Sequence, residues 1–165
     1  MVEAGLFRNE RVELIEGVIV QMSPQSPPHA GAIQILNTLL NAALNGRAAV
    51  RVQSPFATGA DGLPEPDIAL VEPRPFWNAH PDRAFLIIEV ADSSLRFDRH
   101  EKAEIYAQAG VPEYWVVNLA AETVECHTEP TGGDYSRVTT CRRDDVLRPV
   151  AFPDVGIRVA AIFGG

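Results

Sequence analysis

Apolar and polar residues alternate through VELIEGVIVQM (residues 12–22) on either side of Glu16-Gly17, a pattern that predicts a β-hairpin turning at that pair. The rhythm then changes. Ser26-Pro27-Pro28 is a helix-start signal, and Ile33, Leu36, Leu40 and Leu44 recur every three or four positions until Gly46. His29 to Leu44 is therefore expected to be one amphipathic helix. Three strands follow, at 49–53 (AVRVQ), 67–71 (DIALV) and 85–90 (FLIIEV). The third is apolar on both faces apart from Glu89, as a central buried strand should be. Asp98 with Glu101 three residues later reads as a capping box opening a second helix, which Gly110 ends. Tyr114–Leu119 predicts another strand, and 123–128 with 135–140 a hairpin around Gly132-Gly133. The tail, 146–163, is poorly patterned, with room for a short strand and a terminal turn.

The order is hairpin, helix, three strands, helix, strand, hairpin. Helices and strands interleave, so the expected fold class is α/β (α+β): a mixed β-sheet flanked by helices, with N-terminal and C-terminal β-hairpins. Pro-rich stretches at 24–28, 64–66, 73–75 and 149–153 are too short to be linkers and read as turns. With 165 residues, the chain is expected to form one domain, 1–165.

Charge narrows the function classes. Fourteen basic against 22 acidic residues give a formal net charge of −8. A protein that coats nucleic acid through bulk charge should be basic, so any such contact here must use a local patch or bridging metal ions. Cys126 and Cys141 are too few for a disulfide framework and read as reduced, mostly buried thiols. The longest apolar run, Ala84–Ile88, is a strand's length, so no membrane association is expected. The short acidic N-terminus is unlike a signal peptide, which makes the cytoplasm the expected location. No Gly-x-Gly-x-x-Gly or Walker A pattern occurs, so no nucleotide cofactor is expected, and Gly-x-Ser-x-Gly and His-Glu-x-x-His are also absent.

Three polar residues sit where packing alone would not put them. Glu89 lies in a buried strand, sharing a face with Phe85 and Ile87. Even an uncharged polar group without a partner there costs about 2–7 kcal/mol, so Glu89 needs a metal, an Arg or a Lys. The plainer reading is a strand-end carboxylate paired with an arginine near solvent. Asp67 follows Pro66 at a strand start, where Pro-Asp is also ordinary turn chemistry. On a helical wheel Lys102 falls with Ile105, Tyr106 and Ala109, opposite Glu101, Glu104 and Gln108, so it points at the sheet; a snorkelling amine fits the same pattern. If strands 67–71 and 85–90 pair antiparallel, Asp67 and Glu89 become neighbours. Two carboxylates and an ammonium then form a site for a hard cation, Mg²⁺ or Mn²⁺, suited to phosphoryl chemistry.

RVELIEGVIVQMSP (11–24), His29, VRVQSPF (50–56), EPDIALVEPR (65–74), LIIEVADSSLRFDRHEK (86–102) and YAQAGVPEYWVVNL (106–119) together resemble the Uma-type restriction endonuclease domain family of the PD-(D/E)XK nuclease superfamily. The resemblance implies a restriction-endonuclease-like fold and metal-dependent hydrolysis of DNA phosphodiester bonds. It makes Asp67 the motif aspartate and Glu89 the motif glutamate. The superfamily lysine stands two residues after that glutamate, where this chain has Ala91; the displaced lysine is then Lys102. Glu13 is implied as a supporting ligand ahead of Glu16, and the Val90 carbonyl as a further metal ligand. Asn118 stands where relatives commonly have Asp, away from these positions, and reads as structural. Cutting both strands predicts a two-fold homodimer. The competing class is a non-catalytic nucleic-acid or protein interaction module on the same fold. His29 reads as a capping or exposed helix-start residue, with a phosphate contact as the alternative. Arg137, Arg142, Arg143 and Arg148 form the one basic cluster, either a solvated hairpin face or a DNA-backbone contact. Trp77, Tyr114 and Trp115 read as core or interface residues.

Overall fold

The computed structural model describes residues 11–164. Its main sheet has six strands in the order β3 (Ala49–Val52), β4 (Ile68–Val71), β5 (Leu86–Ala91), β6 (Glu113–Asn118), β7 (Thr123–Thr131) and β8 (Asp134–Cys141). Only β5 and β6 run parallel; the other neighbours are antiparallel. A parallel pair needs a crossover, and the helical stretch between Leu95 and Gln108 supplies it. The hairpin of β1 (Val12–Ile15) and β2 (Val18–Gln21) turns at Glu16-Gly17, both at positive φ. It meets the rest of the chain through Leu14 and Leu63 and through the Gly17 N–H to the Asp61 carbonyl, 2.8 Å. This is the mixed, helix-flanked architecture expected from the pattern.

Each face of the sheet has its own core. Helix α1 (Pro27–Leu44) lays Ile33, Leu36, Leu40 and Leu44 over Ile68, Leu70, Leu86, Ile88, Trp115 and Val117. Each buried leucine there stabilises by about 1.5–3 kcal/mol. Ser26 caps the helix by accepting the His29 backbone N–H at 3.3 Å. Asn45 at φ 49° and Gly46 at φ 80° end it in the left-handed region. The unpatterned tail completes this face. β9 (Val146–Leu147), β10 (Ile157–Arg158) and α4 (Val159–Ile162) bring Leu147, Phe152, Val155 and Ile162 into the same core. Short elements broken by prolines pack well without showing a period.

On the opposite face, Ile87, Ala91, Tyr114 and Val116 meet Tyr106 and Ile105 of the crossover. The crossover departs from the expected capping box. It starts at Leu95, not after Asp98, and runs as α2 (Leu95–Phe97), a π-helical turn (Asp98–Lys102) and α3 (Ala103–Gln108). Asp98 caps nothing: its carboxylate accepts from the Ser94 hydroxyl and turns inward, and its backbone carbonyl accepts from the Tyr114 hydroxyl at 2.9 Å. One further expectation needs correction: Phe85 packs against Phe152 in the α1-side core and shares no face with Glu89 and Ile87. Trp77 is 86% exposed in the β4–β5 connection, whereas Tyr114 and Trp115 are fully buried. Cys126 and Cys141 are free thiols packed, partly buried, against the α1-side core.

Candidate active site

The β4–β5 register pairs Ile68 with Ile88, so one step further Asp67 comes beside Glu89. Two hydrogen bonds cross at that point. The Asp67 N–H donates to Glu89 Oε2 at 3.3 Å, and the Val90 N–H donates to Asp67 Oδ2 at 2.8 Å. Gln53, just past β3, reaches Asp67 Oδ1 at 3.4 Å. Both carboxylates are buried, at the floor of a cleft of about 230 Å³ walled by α1, the β1–β2 hairpin and the crossover.

Lys102 enters from the π turn. Its Nζ lies 2.9 Å from Glu89 Oε1, 3.5 Å from Glu13 Oε1 and 3.9 Å from Asp98 Oδ1. It is the only lysine in the chain, and it is buried rather than snorkelling. Glu13 comes from β1, and its Oε1 also accepts the Glu65 N–H at 2.9 Å, tying the hairpin to the segment before β4. Glu16, by contrast, sits exposed at the hairpin turn.

Three residues of this cluster escaped the sequence reading as site residues. The Tyr106 hydroxyl donates to Glu89 Oε1 at 2.8 Å. It stands four positions after Lys102 on the same helix face, a spacing that could have revealed it. Asp98, which the sequence pattern places at a helix cap, instead lies 3.9 Å from Lys102 Nζ. His29, expected as a cap or an exposed residue, has a side chain only 16% exposed, with Nε2 3.2 Å from Asp67 Oδ2. The capping there is done by Ser26.

Burial and charge compete in this cluster. Burial pushes the Asp67 carboxyl up, but His29 and the Val90 N–H outweigh it and hold it below the usual range. Glu89 is raised, by burial first and then by Asp67, Asp98 and Glu13, with Lys102 opposing. Burial alone would lower Lys102, but Glu89, Glu13 and Asp98 keep it an ammonium well above the ordinary lysine range. Four buried acids (Glu13, Asp67, Glu89 and Asp98) thus face one ammonium. Among the described residues no three His, Cys, Asp or Glu side chains form a ready-made metal cage. The donors nevertheless fit a hard divalent cation in kind: carboxylate and carbonyl oxygens with an excess of negative charge, for an ion that keeps waters in its shell.

The arginine cluster lies elsewhere, and two of its four members are paired with glutamates. Arg137 pairs with Glu129 at 3.6 Å, and Arg143 pairs with Glu122. Asn118 accepts the Ala121 N–H at 3.1 Å and shapes the turn after β6, a structural role. Among the described residues no helix is long and apolar enough to cross a membrane.

Residues 4–160 match the family model described as "Uma2: Putative restriction endonuclease". Among solved structures, the crystal structure of "a putative nuclease belonging to DUF820" from Anabaena variabilis is similar, with a TM-score of 0.80 at 16% sequence identity. The similarity covers 93% of this chain and 90% of that one, and at that identity it speaks for a common fold. No curated protein matches the sequence.

Proposed function

The chain belongs to the Uma2 family of restriction-endonuclease-like proteins, and from that premise we propose that it is a divalent-metal-dependent endonuclease hydrolysing phosphodiester bonds in DNA. The observation that carries this reading is the convergence of Asp67, Glu89 and Lys102 at one end of the β4–β5 pair. Asp67, Glu89 and the Val90 carbonyl would hold Mg²⁺ or Mn²⁺, with Glu13 in support. Such an ion supplies Lewis-acid polarisation of a phosphoryl oxygen and acidifies bound water. Lys102, kept charged by its carboxylate neighbours, donates hydrogen bonds from Nζ. It orients the attacking water in line with the scissile bond and offsets the negative charge growing on the phosphoryl oxygens. The water oxygen bonds to phosphorus as the bond to the leaving oxygen breaks, giving one phosphomonoester end and one hydroxyl end.

The surroundings suit this division of labour. Tyr106 and Lys102 both engage Glu89 Oε1, which leaves Oε2 facing Asp67. With a net charge of −8, and with Arg137 and Arg143 already paired to Glu129 and Glu122, contact with DNA stays local to the cleft. Cutting both strands calls for two active sites, and a two-fold homodimer supplies them.

The test is cleavage of supercoiled plasmid with Mg²⁺ or Mn²⁺, comparing the parent with Asp67→Ala, Glu89→Ala and Lys102→Ala. The expected result is nicking and linearisation by the parent alone. Equal traces of cleavage in all four would mean contamination, and would favour a non-catalytic module.

A further inference from the structure

His29 shares the cleft with the acids, and nothing about helix α1 requires a buried imidazole there. The helix is already capped by Ser26, which accepts the His29 backbone N–H at 3.3 Å. The ring Nδ1 is buried without a hydrogen-bond partner, so Nδ1 does not anchor the side chain. The polar groups that act on the ring belong to the acid site. Nε2 is 3.2 Å from the Asp67 carboxylate Oδ2, and the ring also lies against the Val90 carbonyl. These are two of the three groups proposed above to hold the ion. Two donors in adjacent positions around one ion, each at ~2.1 Å, stand about 3.0 Å apart. The observed spacing of Nε2 and Oδ2 matches that bite.

We propose that His29 Nε2 is a further ligand of the ion held by Asp67 and Glu89, and that the site is therefore built for a first-row transition ion such as Mn²⁺ in preference to Mg²⁺. The inference rests on the metal site of the nuclease reading. Imidazole nitrogen adds affinity for transition ions and little for Mg²⁺, which prefers oxygen and gives up its waters reluctantly. Glu89 contributes through Oε2, because Lys102 and Tyr106 already occupy Oε1.

The experiment uses the full chain loaded with Mn²⁺ and read by electron spin-echo envelope modulation, with no DNA and no turnover. The expected spectrum shows nitrogen coupling to bound Mn²⁺ that changes when the histidines carry ¹⁵N. The coupling disappears in His29→Gln, or in His29→Asn if that variant folds better. It persists when the exposed His80 and His100 are both changed to Gln. Mn²⁺ affinity falls by about tenfold or more in the His29 variant, since even outer-shell losses reach that size. Mn²⁺ that binds through Asp67 and Glu89 but shows no histidine coupling overturns the role of His29 and leaves the nuclease reading standing. Coupling that survives in the His29 variants overturns it equally. A protein that binds no Mn²⁺ overturns both.

Discussion

Lys102 Nζ stands 2.9 Å from Glu89 Oε1, with both side chains more than nine-tenths buried and 13 positions apart in the chain. The lysine reaches the glutamate from the crossover and not from the strand, where Ala91 occupies the second position after Glu89. The π turn over Asp98–Lys102 aims it there, held by the Tyr114 hydroxyl on the Asp98 carbonyl.

Breaking that pair leaves a buried carboxylate without its cation. Lys102→Met, which keeps most of the volume, is expected to lower stability in chelator by about 3–5 kcal/mol by urea denaturation. Adding Glu89→Gln to it should recover part of the loss. Strictly additive losses in the two single variants and the double would mean that the two groups do not interact.

Tyr106→Phe removes one of the two donors to Glu89 Oε1 and nothing of the ring packing. A cost of about 1.5 kcal/mol is expected, the low end for a hydrogen bond to a charged group, because Lys102 remains. The cleavage rate should fall while KM for DNA stays put. A variant as stable and as fast as the parent would remove Tyr106 from the site.

Glu13→Ala frees the Glu65 N–H and loosens the hairpin over the cleft. Amide exchange at Glu65 should speed up about tenfold, as for the loss of one hydrogen bond of roughly 1.4 kcal/mol, with Ile88 in β5 unchanged. Equal protection in both proteins would show that the hairpin is held by other contacts.

His127 gives a pH signature away from the site. Burial lowers its pKa, while Glu125 and Asp134 pull it up and Arg99 pushes it down. Tyr114 and Tyr135 pack against the ring. With the folded pKa below the unfolded value near 6.5, the unfolded chain binds more protons in between, so stability rises with pH through that interval. His127→Phe should flatten this slope relative to the parent in denaturation series from pH 5 to 7. An unchanged slope would contradict the assignment.

Much of this was legible in the chain, and the exceptions have physical causes. A carboxylate in the middle of FLIIEV stands out because strand alternation puts it indoors, and an antiparallel β4–β5 pair then brings Asp67 to it. Lys102 showed itself through the helical period shared with Ile105 and Tyr106. His29 did not, because Ser26-Pro27-Pro28 already accounts for a polar residue at a helix start, and the ring's partner lies on a distant segment that no local pattern encodes. Asp98 three residues before Glu101 imitates a capping box; its hydrogen bond to Ser94 and its turn toward Lys102 depend on the π turn, which has no simple sequence signature. The tail hid its core residues behind prolines and two-residue strands.

The most direct measurement is an anomalous difference map from a crystal soaked in Mn²⁺. The account predicts one strong peak bounded by the Asp67 and Glu89 carboxylates and the Val90 carbonyl, within reach of Lys102. A fully soaked crystal with no peak there, or with Mn²⁺ bound only elsewhere on the protein, would contradict it.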